Sequence, residues 1–466
     1  MSIKPTAFFI ACISFFLFEK PIKAQDSLLV AAKIWSKDEA KKVHYSDWQN
    51  FVSITIDQLK GFNASNATPL DKYAGLTNKE YKSSGFFRTE KINNRWNVIN
   101  PLGHITYVAA VNAIRTSKTS PLPGKYKDVA DWTTQTITEL QNMSFNVAGC
   151  WSDVDAIIQY NASAKKPMPY TLQLNLLGGY FSETKKSNPD RKGQSILGFI
   201  LDDNFANYCN EHASKLIATN NDPNLFGIFS DNEIAFTNSE LKELLSKKDT
   251  NDQAYLFFQQ WMKQKSVDEN TITNEQKQAF IGAIAQKYYS IVSAAIKKFD
   301  KNHMYIGSRI HSNAKNNPYI FSAANPYIDI ISINYYGDWQ PKQNYIDEWA
   351  KWSDKPFFIT EFYTKAEETG MNNMSGAGWI VKTHKDRGIH YQNFCLQLLK
   401  AKNCVGWHWF RYQDNDPNDT KADDSNKDSN KGIVNIQYET YQELANKMKQ
   451  LNSNVYGLMK YFDAIK

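Results

Sequence analysis

The segment FGIFSDNEIAF (226–236) runs a short, mostly apolar stretch straight into Ser230, Asp231, Asn232 and Glu233. An apolar run of this length, stopped abruptly by polar residues, reads as a buried strand whose end reaches solvent. Seven other runs have the same character: HITYVAAVN (104–112), FNVAGCW (145–151), YTLQLNLL (170–177), MYIGSRI (304–310), IDIISINYY (328–336), PFFITEF (356–362) and CVGWHWF (404–410). Helical periodicity lies between and after them. Phe280, Ile284, Tyr288, Ile291, Ala295 and Phe299 recur at steps of three or four, as do Leu444, Met448, Leu451, Val455 and Leu458. Strand and helix in alternation predict βα units around parallel strands. Eight strands, with no GxGxxG or GxxxxGK[ST] fingerprint, favour an α/β fold of the (β/α)₈ TIM-barrel type over a doubly wound sheet. The expected organisation is a signal peptide at 1–24, an N-terminal extension at 25–90 packed on the barrel, and the barrel at 91–466. The extension holds one expected helix around Tyr45 to Leu59 and sequons at Asn63 and Asn66.

The opening residues place Lys4 before an apolar run from about Ala7 to Phe18, with small residues near Ala24. That is the pattern of a cleaved secretory leader, and it predicts an exported protein. A lipid anchor on Cys12 is disfavoured, because the apolar run continues past it. No later segment approaches the ~20 apolar residues of a membrane-spanning helix. The formal charge of +6 falls to +4 once Lys4, Lys20, Lys23 and Glu19 are removed, an excess too mild to predict a nucleic-acid partner. Cys150, Cys209, Cys395 and Cys404 show no metal-type spacing, and one disulfide or none is expected. No cofactor or metal is expected, and a monomer is. The Asp- and Asn-rich stretch at 414–432 fails as a calcium loop, since Ser429 stands where the turn glycine is needed counting from Asp424. It reads as a solvated loop after the eighth strand, on the face where barrels carry their chemistry.

Glu233 follows the fourth strand and Glu361 ends the seventh, so the fold would bring both to one barrel mouth. Two carboxyl groups about 5 to 5.5 Å apart are the minimum machinery for retaining cleavage of a glycosidic bond. Asn232 stands where an amide could bind a sugar hydroxyl. Asp231 reads as a supporting residue, with Arg309 as one possible partner.

Asn-Glu after strand four, ITEF at strand seven, INYYGDW at strand six and GWHWF at strand eight together resemble the clan A glycoside hydrolases, which are retaining enzymes built on (β/α)₈ barrels. Within that clan, RWNVINPLGHITYVAAVN, GIFSDNE and the stretch from ITEFYTKAEETG to IHYQNF resemble the agarase-like enzymes that cut red-algal galactans. The resemblance implies Glu233 as general acid/base, Glu361 as nucleophile, and Tyr335 or Tyr336 as the nucleophile's hydrogen-bond partner. The implied substrate is a polysaccharide or oligosaccharide of the agarose or porphyran type.

Such chemistry requires Glu233 to hold a proton while Glu361 stays ionised, with Arg309, His311 or Lys382 as candidate cations. Candidate sugar contacts near strand ends are Asn112, Trp151, Arg309, His311, Tyr336, Trp379, Trp407 and His408. Alternation on strand eight turns either Trp407 and Trp409 or His408 inward, and the reading favours Trp407. HExxH and GxSxG motifs are absent, which argues against a zinc peptidase and a serine esterase. A glycan-binding barrel without turnover would not need both glutamates. A transglycosylase would use the same pair.

Overall fold

The computed structural model describes residues 28–37, 43–64, 69–119 and 121–465. The expected signal peptide and Asn66 lie outside the described residues. Each of the eight apolar runs contains a parallel strand: β1 (Val108–Val111), β2 (Val147–Ala148), β3 (Tyr170–Gln173), β4 (Leu225–Phe229), β5 (Met304–Tyr305), β6 (Ile331–Asn334), β7 (Phe357–Glu361) and β8 (Cys404–Trp409). They form one eight-stranded sheet in the order β5-β4-β3-β2-β1-β8-β7-β6.

The expectation of a (β/α)₈ TIM barrel with an N-terminal extension is corrected on two counts. First, the strand ladder curls but does not run continuously around, because β5 and β6 are the two ends of the row. Strand β5 has two residues, and the chain beyond it turns through Gly307 at φ +84°. Across this seam, β-pairing is the isolated Ile310–Ile333 bridge.

Second, the N-terminal residues are woven into the architecture as further sheets. Leu28–Lys33 pairs antiparallel with both Gln49–Ser53 and Trp379–Val381, in a four-stranded sheet that takes in Thr364–Ala366 from the segment after β7. Trp35–Lys37 pairs with Val43–Tyr45. Leu76–Glu80, His104–Thr106, Arg95–Ile99 and Arg88–Ile92 make another antiparallel sheet, so the run 104–112 serves two sheets, dividing at Tyr107. The helix expected over Tyr45 to Leu59 is the strand Gln49–Ser53 followed by a single 3₁₀ turn at Ile56–Gln58. Phe51, Val52 and Ile54 suit a pleated surface, and Phe51 docks against Trp339 and Trp379 at 5.2 and 4.8 Å between ring centroids.

Alternation along the strands divides the core. Val108, Val147, Phe226, Met304, Phe358 and Val405 pack inside the curled sheet. Ala109, Ala148, Ile228, Ile331, Ile359 and Trp407 face the helices. Both faces are therefore apolar, as parallel strands covered by helices require. The helix Asn274–Phe299, opened by a capping box between Thr273 and Gln276, lays the expected stripe on this outer layer. It is apolar and long enough by composition to cross a membrane, yet 61% of its most apolar window is buried inside the protein, as in a core helix.

Candidate active site

A cavity of about 1410 Å³ opens where the strands of the curled sheet end, and both glutamates line it. Glu361, the last residue of β7, is 7% exposed. Its Oε1 accepts a hydrogen bond from the Arg309 guanidinium, and its Oε2 accepts one from the Tyr336 hydroxyl at 2.8 Å. Of the three candidate cations, Arg309 is the one that bonds Glu361. Lys382 instead pairs with Glu367 at 2.8 Å and covers the Trp48 ring.

Burial pushes the Glu361 carboxyl up to about 7, and Glu233 adds to the rise, while Arg309 and Tyr336 pull the other way. Arg309 is fully buried beneath the cavity, so its charge is spent on Glu361. Glu233 receives a 2.8 Å hydrogen bond from Asn334 Nδ2. Asn334 Oδ1 accepts from the Thr360 hydroxyl at 2.7 Å and from Arg309 Nε at 3.4 Å. One side chain at the end of β6 therefore links the surroundings of both carboxyl groups. The sequence reading missed Asn334, although its signal was present: it precedes Tyr335 and Tyr336 in the INYY run.

Backbone geometry around the cavity is unusual. Ala113, Trp151, Glu233, Arg309 and Ser312, each just past a strand of the sheet, all adopt positive φ between 52° and 68°. Non-glycine residues rarely hold this conformation, which costs about 1–3 kcal/mol each and collects at functional sites.

Asn232, Trp151, His311, Tyr336 and Trp379 join the two glutamates on the cavity wall. Trp151 is 39% exposed and its ring faces Arg309, with 5.7 Å from the guanidinium carbon to the ring centroid. His311 is held near 4 by burial and is neutral at working pH, with its Nδ1 buried and unpartnered among the described residues. Residues absent from the sequence reading complete the wall, among them Trp35, Arg115, Tyr363, Arg411 and Lys431.

Five expected contacts are corrected, the first being Arg309, which is fully buried, does not line the cavity and bonds Glu361. Tyr335 points to the helix layer, donating to Asp338 and packing on Trp349 and Phe394. Trp407 also faces outward and donates to the Tyr391 hydroxyl at 2.7 Å, so the favoured choice on β8 is reversed and His408 is the inward residue. His408 and Asn112 are fully buried below the cavity, paired through Nδ1 and Oδ1 at 3.2 Å. Gly149 makes room for that pair, since a Cβ there would lie 2.0 Å from Asn112 Oδ1. Asn112 also donates to the Thr360 carbonyl at 2.8 Å, supporting β7 next to Glu361. Asp231 accepts from Leu177 N, Gly178 N and the Tyr288 hydroxyl, anchoring the start of the helix Leu176–Ser187 rather than Arg309. Burial raises its carboxyl to about 6. Cys150, Cys209, Cys395 and Cys404 are buried and free.

Glu233 and Glu361 thus line one cavity at the end of a curled parallel sheet. No family model matches the chain. The crystal structure of BpGH50 superposes with a TM-score of 0.83 at 32% identity, covering 94% of this chain and 96% of that one. The chain belongs to the GH50 family of glycoside hydrolases. The agarase AgWH50C shares the fold at 20% identity and a TM-score of 0.67, over 84% of this chain and 66% of its own. Beta-agarase B of Vibrio sp. (strain JT0107) is 25% identical over 81% of this chain. The chain spans about half of that relative's length, 49%, and 17% of Beta-agarase A from the same source.

Proposed function

We propose that the protein cleaves β-glycosidic bonds of an agarose-type galactan, or its oligosaccharides, by double displacement, with Glu361 as nucleophile and Glu233 as general acid/base. The observation that carries this reading is Glu361, gripped by Arg309 and Tyr336, facing the same cavity as Glu233. The names of the agarase relatives support the substrate class. In the first step the Glu361 carboxylate attacks the anomeric carbon, the glycosidic C–O bond breaks, and Glu233 gives its proton to the departing oxygen. In the second, Glu233 takes a proton from water as the water oxygen attacks the anomeric carbon and releases Glu361. Arg309 and Tyr336 stabilise the carboxylate form of Glu361 before attack and as it leaves. The neutral His311 and the amide of Asn232 offer polar contacts to sugar hydroxyls, while Trp151 and Trp379 offer apolar faces. The leader read at 1–24 supports an exported enzyme that meets polymer outside the cytoplasm.

The test is release of new reducing ends from agarose, porphyran and carrageenan by the wild type, beside Glu361→Ala and Glu233→Ala. Loss in both variants, with azide restoring turnover in Glu361→Ala as a glycosyl azide of inverted configuration, supports the roles assigned. Full activity in either variant sinks the assignment.

A further inference from the structure

One wall of the cavity carries charge that the chemistry above does not use. Arg115 follows β1 and Arg411 follows β8, and these strands are neighbours, with Trp409 paired to Val111. The two loops stay together beyond the sheet: Tyr412 N donates to Asn112 O at 2.9 Å, and the Thr119 hydroxyl donates to Asp416 at 2.7 Å. Both arginines therefore line the main cavity, and both also line a second cavity of about 590 Å³ that adjoins it and shares Asp423 and Asn426.

Neither guanidinium makes an ion pair or a side-chain hydrogen bond among the described residues, and Arg411 Nε is a buried donor without a partner. Burial, and after it the neighbouring Arg115, disfavours the charge on Arg411. The acids that face them are Asp414, Asp419 and Asp423. None of those carboxylates bonds either guanidinium; each accepts from neutral donors instead. Asp414 accepts from Asn430, Gly432 N and Tyr441; Asp419 from Lys421 N; and Asp423 from Ser425 and Asn426. Two adjacent guanidiniums with open donor sites, on a cavity wall, match a bidentate oxyanion rather than a neutral hydroxyl.

We propose that Arg115 and Arg411 form a subsite for an oxyanion carried by the galactan, a sulfate ester or a carboxylate on a sugar unit adjoining the cleaved bond. The inference rests on the galactan reading above and narrows its substrate. Charge-assisted hydrogen bonds of this kind favour the anionic sugar by about tenfold or more.

The experiment is titration calorimetry with the catalytically disabled Glu361→Gln protein and three ligands of equal length: a 6-sulfated galactan oligosaccharide, its desulfated counterpart, and a uronate-bearing oligosaccharide. A preference of about tenfold for the sulfated or the carboxylated ligand over the neutral one, weakening with added salt, is the expected result, and the preferred ligand identifies the anion. Arg115→Gln with Arg411→Gln should bring that ratio towards one, whereas Arg115→Lys with Arg411→Lys should keep part of it. Melting temperatures of all variants separate lost charge from lost structure. Equal affinity for charged and neutral ligands, or a preference that survives the double glutamine change, overturns the subsite and leaves the hydrolase reading intact. Binding of no galactan, charged or neutral, overturns both.

Discussion

Asn334 and Glu233 share a hydrogen bond of 2.8 Å in which the amide donates and the carboxylate accepts. The amide's orientation is fixed from its other side, because Arg309 Nε can only donate and so must face oxygen. Replacing Asn334 with Ala removes the tether on Glu233, together with an acceptor for Arg309 and Thr360, and should lower kcat by about 10- to 100-fold with KM less affected. Steady-state kinetics on an agaro-oligosaccharide read this directly. Unchanged kcat would show that Glu233 needs no such positioning.

The pH profile should report Glu361. Its carboxyl is raised to about 7, chiefly by burial, and the proposed double displacement needs the ionised form. Activity should therefore rise with pH through about 7 and fall away below it as the carboxylate takes up a proton. Arg309→Gln deletes the cation that favours ionisation, so the acidic limb of kcat/KM should move to higher pH. A limb that stays in place, or moves lower, contradicts the role given to Arg309.

Two tryptophans singled out by the sequence should respond in opposite ways. Trp151, on the cavity wall and partly exposed, should on change to Ala raise KM about five- to tenfold with little loss of stability. Trp407, packed outward on Tyr107 and Tyr391, should on change to Ala cost about 3–5 kcal/mol of stability. Denaturant melts beside kinetics distinguish the two.

The N-terminal strand should be indispensable to the cavity. Val30 is 1% exposed and packs with Trp339, Trp379 and Val381. Val30→Asp buries an unpaired carboxylate there and should cost about 3 kcal/mol. Because Trp379 shares that cluster and also lines the cavity, KM should rise in whatever fraction stays folded. A variant as stable as the wild type would show that this sheet is peripheral.

Much of the strand framework was legible because each parallel strand is a short apolar run cut off by polar residues, and Glu233 and Glu361 stand at two of those cuts. Less legible were features that depend on distant partners. Leu28–Lys33 finds its neighbour at Trp379–Val381, far along the chain, and nothing local in either segment announces that pairing. The inward residue of β8 was equally hidden: the strand is buried on both faces, so hydropathy does not distinguish Trp407 from His408, and polar His408 lies inside with Asn112 as its partner. The positive φ angles at Trp151, Glu233 and Arg309 leave no mark in composition, since the surrounding structure imposes them. Likewise, the gap between β5 and β6 follows from a strand shortened to Met304–Tyr305 within a run that reads as longer.

In the proposed reaction Glu361 is the nucleophile and Glu233 the acid/base, both on one cavity wall. The direct measurement is proton NMR of the first reducing sugar released from an agaro-oligosaccharide, recorded before mutarotation. Two displacements at one carbon return the β anomer first. Initial release of the α anomer would mean a single displacement by water, and Glu361 would not be the nucleophile.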